Sequence, residues 1–379
     1  MSDCMDARCR DRLKAYCKVG KLFDAERLLS EVGTARLRKT RKWTPLFTAV
    51  DRGFHSLVEL LLRYDHAQWD LEKAHAGAQR RRRSDLSALI LSSPWWSAPL
   101  DPVEVLATGD LALARKLHEA GIDFTAADNI LQGAMRNAKG TLDIVAHLGI
   151  RSGSVDDQLY SAMVTHADQG HVASVIRFLR TGFDPHKVVP YLDTRGRLSG
   201  ADSTVSIAMF SGKPGFLASL KPSPHKDDAV ALIGSAVYLG DDKMLGVLLE
   251  AGFTLNCKAN GGSPALDEIL CGRTKNHHVP YPQYGCHEPP RYSRAVADAF
   301  LRTVESFLLK GTRWVPDQDR NEVRMVRDTL LALGDDHVAR LFTMLDEYGA
   351  AKREHLKALF AAIRMKTLAR AVRERLSWL

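Results

Sequence analysis

The sequence predicts an all-α chain, a solenoid of stacked helix pairs closed by a helix at its C-terminal end. Three observations predict it. Residues 44–62 read as two short helices joined by a tight turn. A Gly-helix-Gly unit with glycines 12 positions apart recurs at Gly109/Gly121, Gly170/Gly182 and Gly240/Gly252, with apolar residues at matching places. Aromatic content is low, 7%, which suits short Leu/Ala/Val helices better than a sandwich of strands.

The stretch from Thr44 to Leu62 sets the pattern. Pro45 suits a first helical position, where an amide donor has no helical partner. Gly53 ends the helix, because glycine adopts the left-handed turn at low cost. Leu57, Leu60 and Leu61 then fall on one face of a second helix. Helices this short cannot bury that face alone, so the unit needs stacked copies.

Weaker copies fill the intervals. Gly20 to Gly33 reads as a starting half-repeat, Gly140 to Gly149 as a shortened copy with Gly140 at the turn, and Gly334 to Leu345 as a late copy. The pattern persists around residues 203–220 but is degraded by Gly212 and Pro214. The step from Gly53 to Gly109 is too long for one repeat and implies a degenerate repeat plus an insertion. Interruptions are expected at about 72–100 and 271–292, leaving a divergent array over 1–349 of roughly seven to nine repeats with a period near ~33. Residues 350–379 read as a basic amphipathic helix or helical pair, whose stripe includes Leu356, Leu359, Phe360, Leu368, Val372 and Leu376. Such an element covers the exposed end of an array.

Thr44-Pro45-Leu46-Phe47-Thr48-Ala49, the Gly53 turn and the Leu-Val-Glu-Leu-Leu-Leu second helix resemble the ankyrin-repeat family. That family's first-helix signature is Thr-Pro-Leu-His-x-Ala; Phe47 stands in place of the His. The resemblance implies a binding scaffold. It does not imply what is bound.

Formal charge is +8 and unevenly spread. Residues 1–52 carry 13 Lys/Arg against 7 Asp/Glu, and residues 350–379 carry 8 against 2. Basic ends flanking a near-neutral body point to contact with polyanions at those ends. Six cysteines, at 4, 9, 17, 257, 271 and 286, form no disulfide framework, which suits a reducing, cytoplasmic setting. No apolar run reaches the ~18 residues of a membrane span, and the N-terminus lacks the apolar core of a signal peptide.

The Arg80, Arg81, Arg82, Arg83 run is a candidate partner-binding element that grips an acidic protein or phosphates; alternatively it is a solvated loop between repeats. Trp95 and Trp96 are candidates because exposed tryptophans are common binding anchors; alternatively they plug an irregular repeat. Lys366, Arg370 and Arg373 in the tail are the third group. Cys271, His277, His278, Cys286 and His287 supply metal-ligand chemistry, but their spacing matches no zinc pattern, so no metal is expected. Phosphate-binding, nucleophile-elbow and metalloprotease motifs are missing, so neither an enzyme nor a cofactor is expected. The expected role is a scaffold that binds, inhibits or tethers a protein partner. The alternatives are an accessory subunit of a nucleic-acid-handling complex and a secreted effector mimicking host scaffolds. The oligomeric state is not encoded in any motif.

Overall fold

The computed structural model describes residues 7–32, 44–64, 66–192, 197–273, 291–316, 320–362, 366–376 and 378. Among them are 22 α-helices and one two-stranded sheet. The chain divides into two compact units.

Unit 1 comprises residues 1–183 and 189–201. Its helices come in pairs: α1 (Ala7–Val19) with α2 (Leu22–Val32), α3 (Pro45–Arg52) with α4 (His55–Leu62), α5 (Gln68–Arg80) with α6 (Ser84–Leu91). Then follow α7 (Pro102–Thr108) with α8 (Leu111–Glu119), α9 (Asn129–Arg136) with α10 (Ala138–Leu148), and α11 (Gly153–Asp168) with α12 (Val172–Arg180). First helices pack on first helices: α1 on α3, α3 on α5, α7 on α9, α9 on α11. Second helices pack on second helices: α2 on α4, α4 on α6, α8 on α10, α10 on α12. The core of the first three pairs includes Leu46, Val50, Leu57, Leu61, Leu71 and Leu86, all essentially removed from solvent. Each such leucine contributes about 2 kcal/mol of transfer free energy.

The turns inside the pairs follow the chemistry of glycine. Gly20, Gly53, Gly109 and Gly170 sit at φ 79, 76, 74 and 71°, in the left-handed region. Thr44 Oγ1 accepts from the Phe47 amide at 3.1 Å and so caps α3. Asp110 caps α8 by accepting from the Ala112 and Leu113 amides, both at 2.9 Å.

Two sequence expectations need correction. The interruption expected at about 72–100 is largely helical, because α5 and α6 form a further pair across residues 68–91. Its turn contains no glycine: Arg82 takes the left-handed conformation at φ 54° instead. Gly140 is not a turn residue but lies inside α10, and Asn137 makes the turn, its side chain accepting from the Gly140 amide at 3.0 Å.

Hydrogen bonds lace successive pairs at a recurring separation. Arg83 Nη1 donates to the Gly53 carbonyl, 30 residues back, and Asn137 Nδ2 to the Ala107 carbonyl, also 30 back. His166 Nε2 meets the Ala134 carbonyl, 32 back, and Gln158 Nε2 donates to the Ala127 carbonyl, 31 back. Unit 1 ends in a hairpin of β1 (Val189–Leu192) and β2 (Leu198–Asp202), of which Asp202 falls to unit 2. β1 packs on α11, where Ser161 Oγ donates to the Pro190 carbonyl at 2.6 Å.

Unit 2 comprises residues 184–188 and 202–379. It contains α13 (Thr204–Ala208), α14 (Pro214–Ser219), α15 (Ala229–Leu239), α16 (Asp242–Glu250) and α17 (Pro264–Leu270). It continues with α18 (Arg294–Leu308), α19 (Arg320–Leu333), α20 (Asp335–Glu347), α21 (Arg353–Ala362) and α22 (Lys366–Arg375). α15 packs on α17, α17 on α19 and α19 on α21; α18 packs on α20 and α20 on α22. Lacing recurs here at wider spacing: Asn256 Nδ2 donates to the Gly311 carbonyl, 55 residues on, and Asn260 Nδ2 to that of Val315, also 55 on. The extra separation accommodates the segment around 271–292, of which residues 274–290 lie outside the described set. Trp314 is 1% exposed and its amide donates to the Ala350 carbonyl at 2.7 Å, tying the α18–α19 connection to the one after α20.

Candidate functional site: a cationic cavity in unit 1

The turns of unit 1 bound a cavity of about 980 Å³. The α5–α6 turn contributes Arg82, Arg83 and Ser84; the α9–α10 turn contributes Arg136, Asn137 and Lys139; the α11–α12 turn contributes Gly170 and His171. Five Lys/Arg line it (the fifth is Arg177 on α12) against one carboxylate, Glu104 on α7.

Two of these cations are committed to the protein itself. Arg83 forms a fork with Asp85, Nε to Oδ1 at 2.8 Å and Nη2 to Oδ2 at 2.7 Å. That pair holds the Asp85 carboxyl below its usual pKa. Arg136 is hydrogen-bonded to Glu104, which also accepts from Gln79. Arg82, Lys139 and Arg177 are exposed and form no ion pair among the described residues.

Two histidines adjoin the cavity, one buried and one exposed. His166 is 3% exposed, with Nε2 3.0 Å from the Ala134 carbonyl and Nδ1 3.2 Å from Nδ1 of His171. A carbonyl only accepts, so Nε2 carries the hydrogen; in the neutral ring Nδ1 is then an acceptor, and His171 Nδ1–H donates to it. Burial pushes the His166 imidazole below its usual pKa, and the neighbouring His171 pushes the same way. Ser87 on α6 is 5% exposed and lines the same cavity.

The sequence candidates distribute unevenly. Arg82 and Arg83 line the cavity. Arg80 is exposed at the end of α5, and Arg81 is paired with Asp51 at 2.6 Å. The run is therefore a turn rather than a loop, with only Arg82 uncommitted among its two cavity-lining members. Trp95 is 36% exposed and donates from Nε1 to the Leu62 carbonyl at 3.1 Å. Trp96 packs against the core of the first three pairs, its ring edge-on to His75 at 5.6 Å. Trp96 thus covers the end of that core, while Trp95 stays exposed beside it.

In unit 2, Arg370 pairs with Glu374 at 2.9 Å and Arg373 stacks over the Phe360 ring at 5.3 Å. Lys366 opens α22, and its side chain lies outside the described residues. Cys271 is buried at the end of α17; His277, His278, Cys286 and His287 lie outside the described residues. Among the described residues no three His, Cys, Asp or Glu are grouped to hold a metal, and no helix is long and apolar enough to cross a membrane.

Sequence reading missed Lys139, Arg177, His166 and His171 as site residues. The available signal was positional. Aligned on their turns, Arg82 and Arg83, Lys139, and His171 fall at the starts of the second helices α6, α10 and α12, with α8, capped by Asp110, between the first two. No protein-family model matches the chain, and no curated protein matches its sequence.

Proposed function

We propose that the chain is a divergent ankyrin-type repeat scaffold that binds a protein partner, with unit 1 presenting the binding surface. One observation carries the reading: unpaired Arg82, Lys139 and Arg177 converge on one cavity framed by three helix-pair turns. The lacing at 30–32 residues between turns supports a repeat architecture of the ankyrin period. Surfaces pre-set by such stacking lose little conformational entropy on binding. The cation excess selects a partner with a complementary acidic segment, which raises association rate and excludes basic partners. The mechanism is recognition: tethering, neutralising or inhibiting what is bound.

The same cations favour one second reading, an accessory subunit of a nucleic-acid complex. Affinity purification of the tagged chain from its native cells, with and without nuclease, separates the two. One stoichiometric protein retained after nuclease supports the scaffold. Nucleic acid in the eluate, with proteins lost on digestion, overturns it.

A further inference from the structure

The helix starts around the cavity carry basic residues beside their ordinary acceptors: α6 keeps Asp85 in its first turn and α10 is capped by Asn137, while α12 has neither. A helix N-terminus carries about half a positive charge and four unpaired amides, so it favours an acidic or hydroxyl-bearing cap. Asp110 obeys this at α8, and Asp241 at α16, where it accepts from the Lys243 and Met244 amides at 3.1 and 3.0 Å. At α6 the cap position is Arg83 and at α12 it is His171, and neither provides a side-chain cap hydrogen bond. At α10 the second residue is Lys139. Arg83, itself forked with Asp85, and Lys139 thus stand at two positive helix ends lining one cavity, and the uncapped start of α12 is a third. Arg82 adds backbone strain, since a non-glycine residue at φ 54° costs about 1 kcal/mol. Local rules broken together at one place mark a site whose ligand restores the balance.

A second, independent observation points the same way. Ser87 is 5% exposed and lines the cavity one turn into α6, yet among the described residues its hydroxyl makes no hydrogen bond. The lining therefore offers unpaired cations, uncapped helix starts and a waiting hydroxyl, all of which suit an anion with several strong acceptor oxygens.

We propose that this cavity binds a phosphate monoester carried on a peptide segment of the partner. The monoester dianion matches the concentrated charge of Arg82, Lys139 and Arg177 and supplies acceptors for the α6 and α12 amides. Glu104, held by Arg136, places a negative charge in the same lining, which suits a single localised dianion and opposes a continuous polyanion. The proposal rests on the protein-binding reading only for the carrier of the phosphoryl group.

The test uses the full chain and fluorescein-labelled degenerate peptide pools centred on phosphoserine, with the same pools centred on serine as control. Fluorescence anisotropy should show roughly tenfold tighter binding of the phosphorylated pool, as charge-assisted contacts require. Inorganic phosphate should compete. The triple variant Arg82→Gly, Lys139→Gln, Arg177→Gln should lose the preference while keeping its circular dichroism and a melting temperature no lower than that of the wild type. All three side chains are exposed or partly so, and glycine suits the φ of residue 82. Equal binding of both pools would overturn the phosphoryl assignment and leave an acidic-peptide scaffold standing. Tighter binding of a labelled mixed-sequence RNA than of the phosphorylated pool would overturn it in favour of nucleic acid. Failure to bind any of these probes would also overturn it, whatever the purification from cells returns.

Discussion

The backbones of Gly109 and Gly140 touch. A Cβ built on Gly109 would fall 2.8 Å from the Cα of Gly140, and one built on Gly140 would fall 2.6 Å from the Cα of Gly109. The α7–α8 turn is thereby seated on the first turn of α10, and only hydrogen atoms fit between them. Gly140→Ala is expected to destabilise unit 1 by about 2 kcal/mol, because the clash outweighs the ~1 kcal/mol that alanine gains inside a helix. Gly121→Ala is the control: it has a left-handed φ of 88° but no atom within 4 Å, so only backbone strain is paid. Denaturant midpoints decide it, and a stabilised Gly140→Ala would refute the close approach.

Acid should weaken unit 1 through His166 and His75. Burial lowers the pKa of both below the ordinary imidazole value of about 6.5. The folded state then binds fewer protons than the unfolded chain once pH drops below 6.5, so stability falls with pH from there down to the folded pKa. Chemical denaturation at pH 7.5 and pH 5.5 measures the loss. His166→Gln retains a donor toward the Ala134 carbonyl and should flatten the pH dependence. An unchanged slope would show that His166 is not held neutral.

Two substitutions at the cavity are expected to stabilise the fold. Arg82→Gly removes left-handed strain and should gain about 1 kcal/mol. His171→Asn supplies a cap acceptor, as Asn137 does at α10, and should gain about 0.5–1 kcal/mol. Asp110→Ala, which removes a working cap, should cost about 1 kcal/mol. Thermal melts of the three variants check the ordering. If His171→Asn destabilises instead, the donor it supplies to His166 outweighs the cap.

Trp96→Ala is expected to cost about 3 kcal/mol, because the ring fills the end of the core of the first three pairs. Trp95→Ala should cost only about 1 kcal/mol, the value of its hydrogen bond to the Leu62 carbonyl. A partner that binds the wild type and is lost with Trp95→Ala alone would place that residue on the binding surface.

The helix pairs were legible wherever a glycine marks the turn. Gly53, Gly109, Gly170 and Gly240 all adopt the left-handed conformation that the spacing demands. The α5–α6 pair was legible only as the degenerate repeat implied by the long step from Gly53 to Gly109, and not in its bounds, because Arg82 takes the left-handed conformation without the residue type that advertises it. Gly140 misled in the opposite direction: it is required for close packing, not for φ, and a sequence does not distinguish the two uses. The division into two units was also hidden, since it depends on contacts between residues distant in sequence. Half of the Arg80–Arg83 run reached the candidate site. Lys139, Arg177 and the histidine pair did not announce themselves, because a surface cation looks alike in sequence whether it faces open water or a cavity.

The lacing from Arg83 to Gly53, from Asn137 to Ala107 and from His166 to Ala134 joins only neighbouring pairs. Unit 1 is therefore tolerant of change in one currency and intolerant in another. Gain or loss of a whole helix pair leaves every remaining donor opposite a carbonyl of the next pair. A single residue inserted in a turn shifts one donor off its carbonyl and leaves both unmatched. Lineages of this chain should vary in length by whole pairs, with turn lengths held fixed.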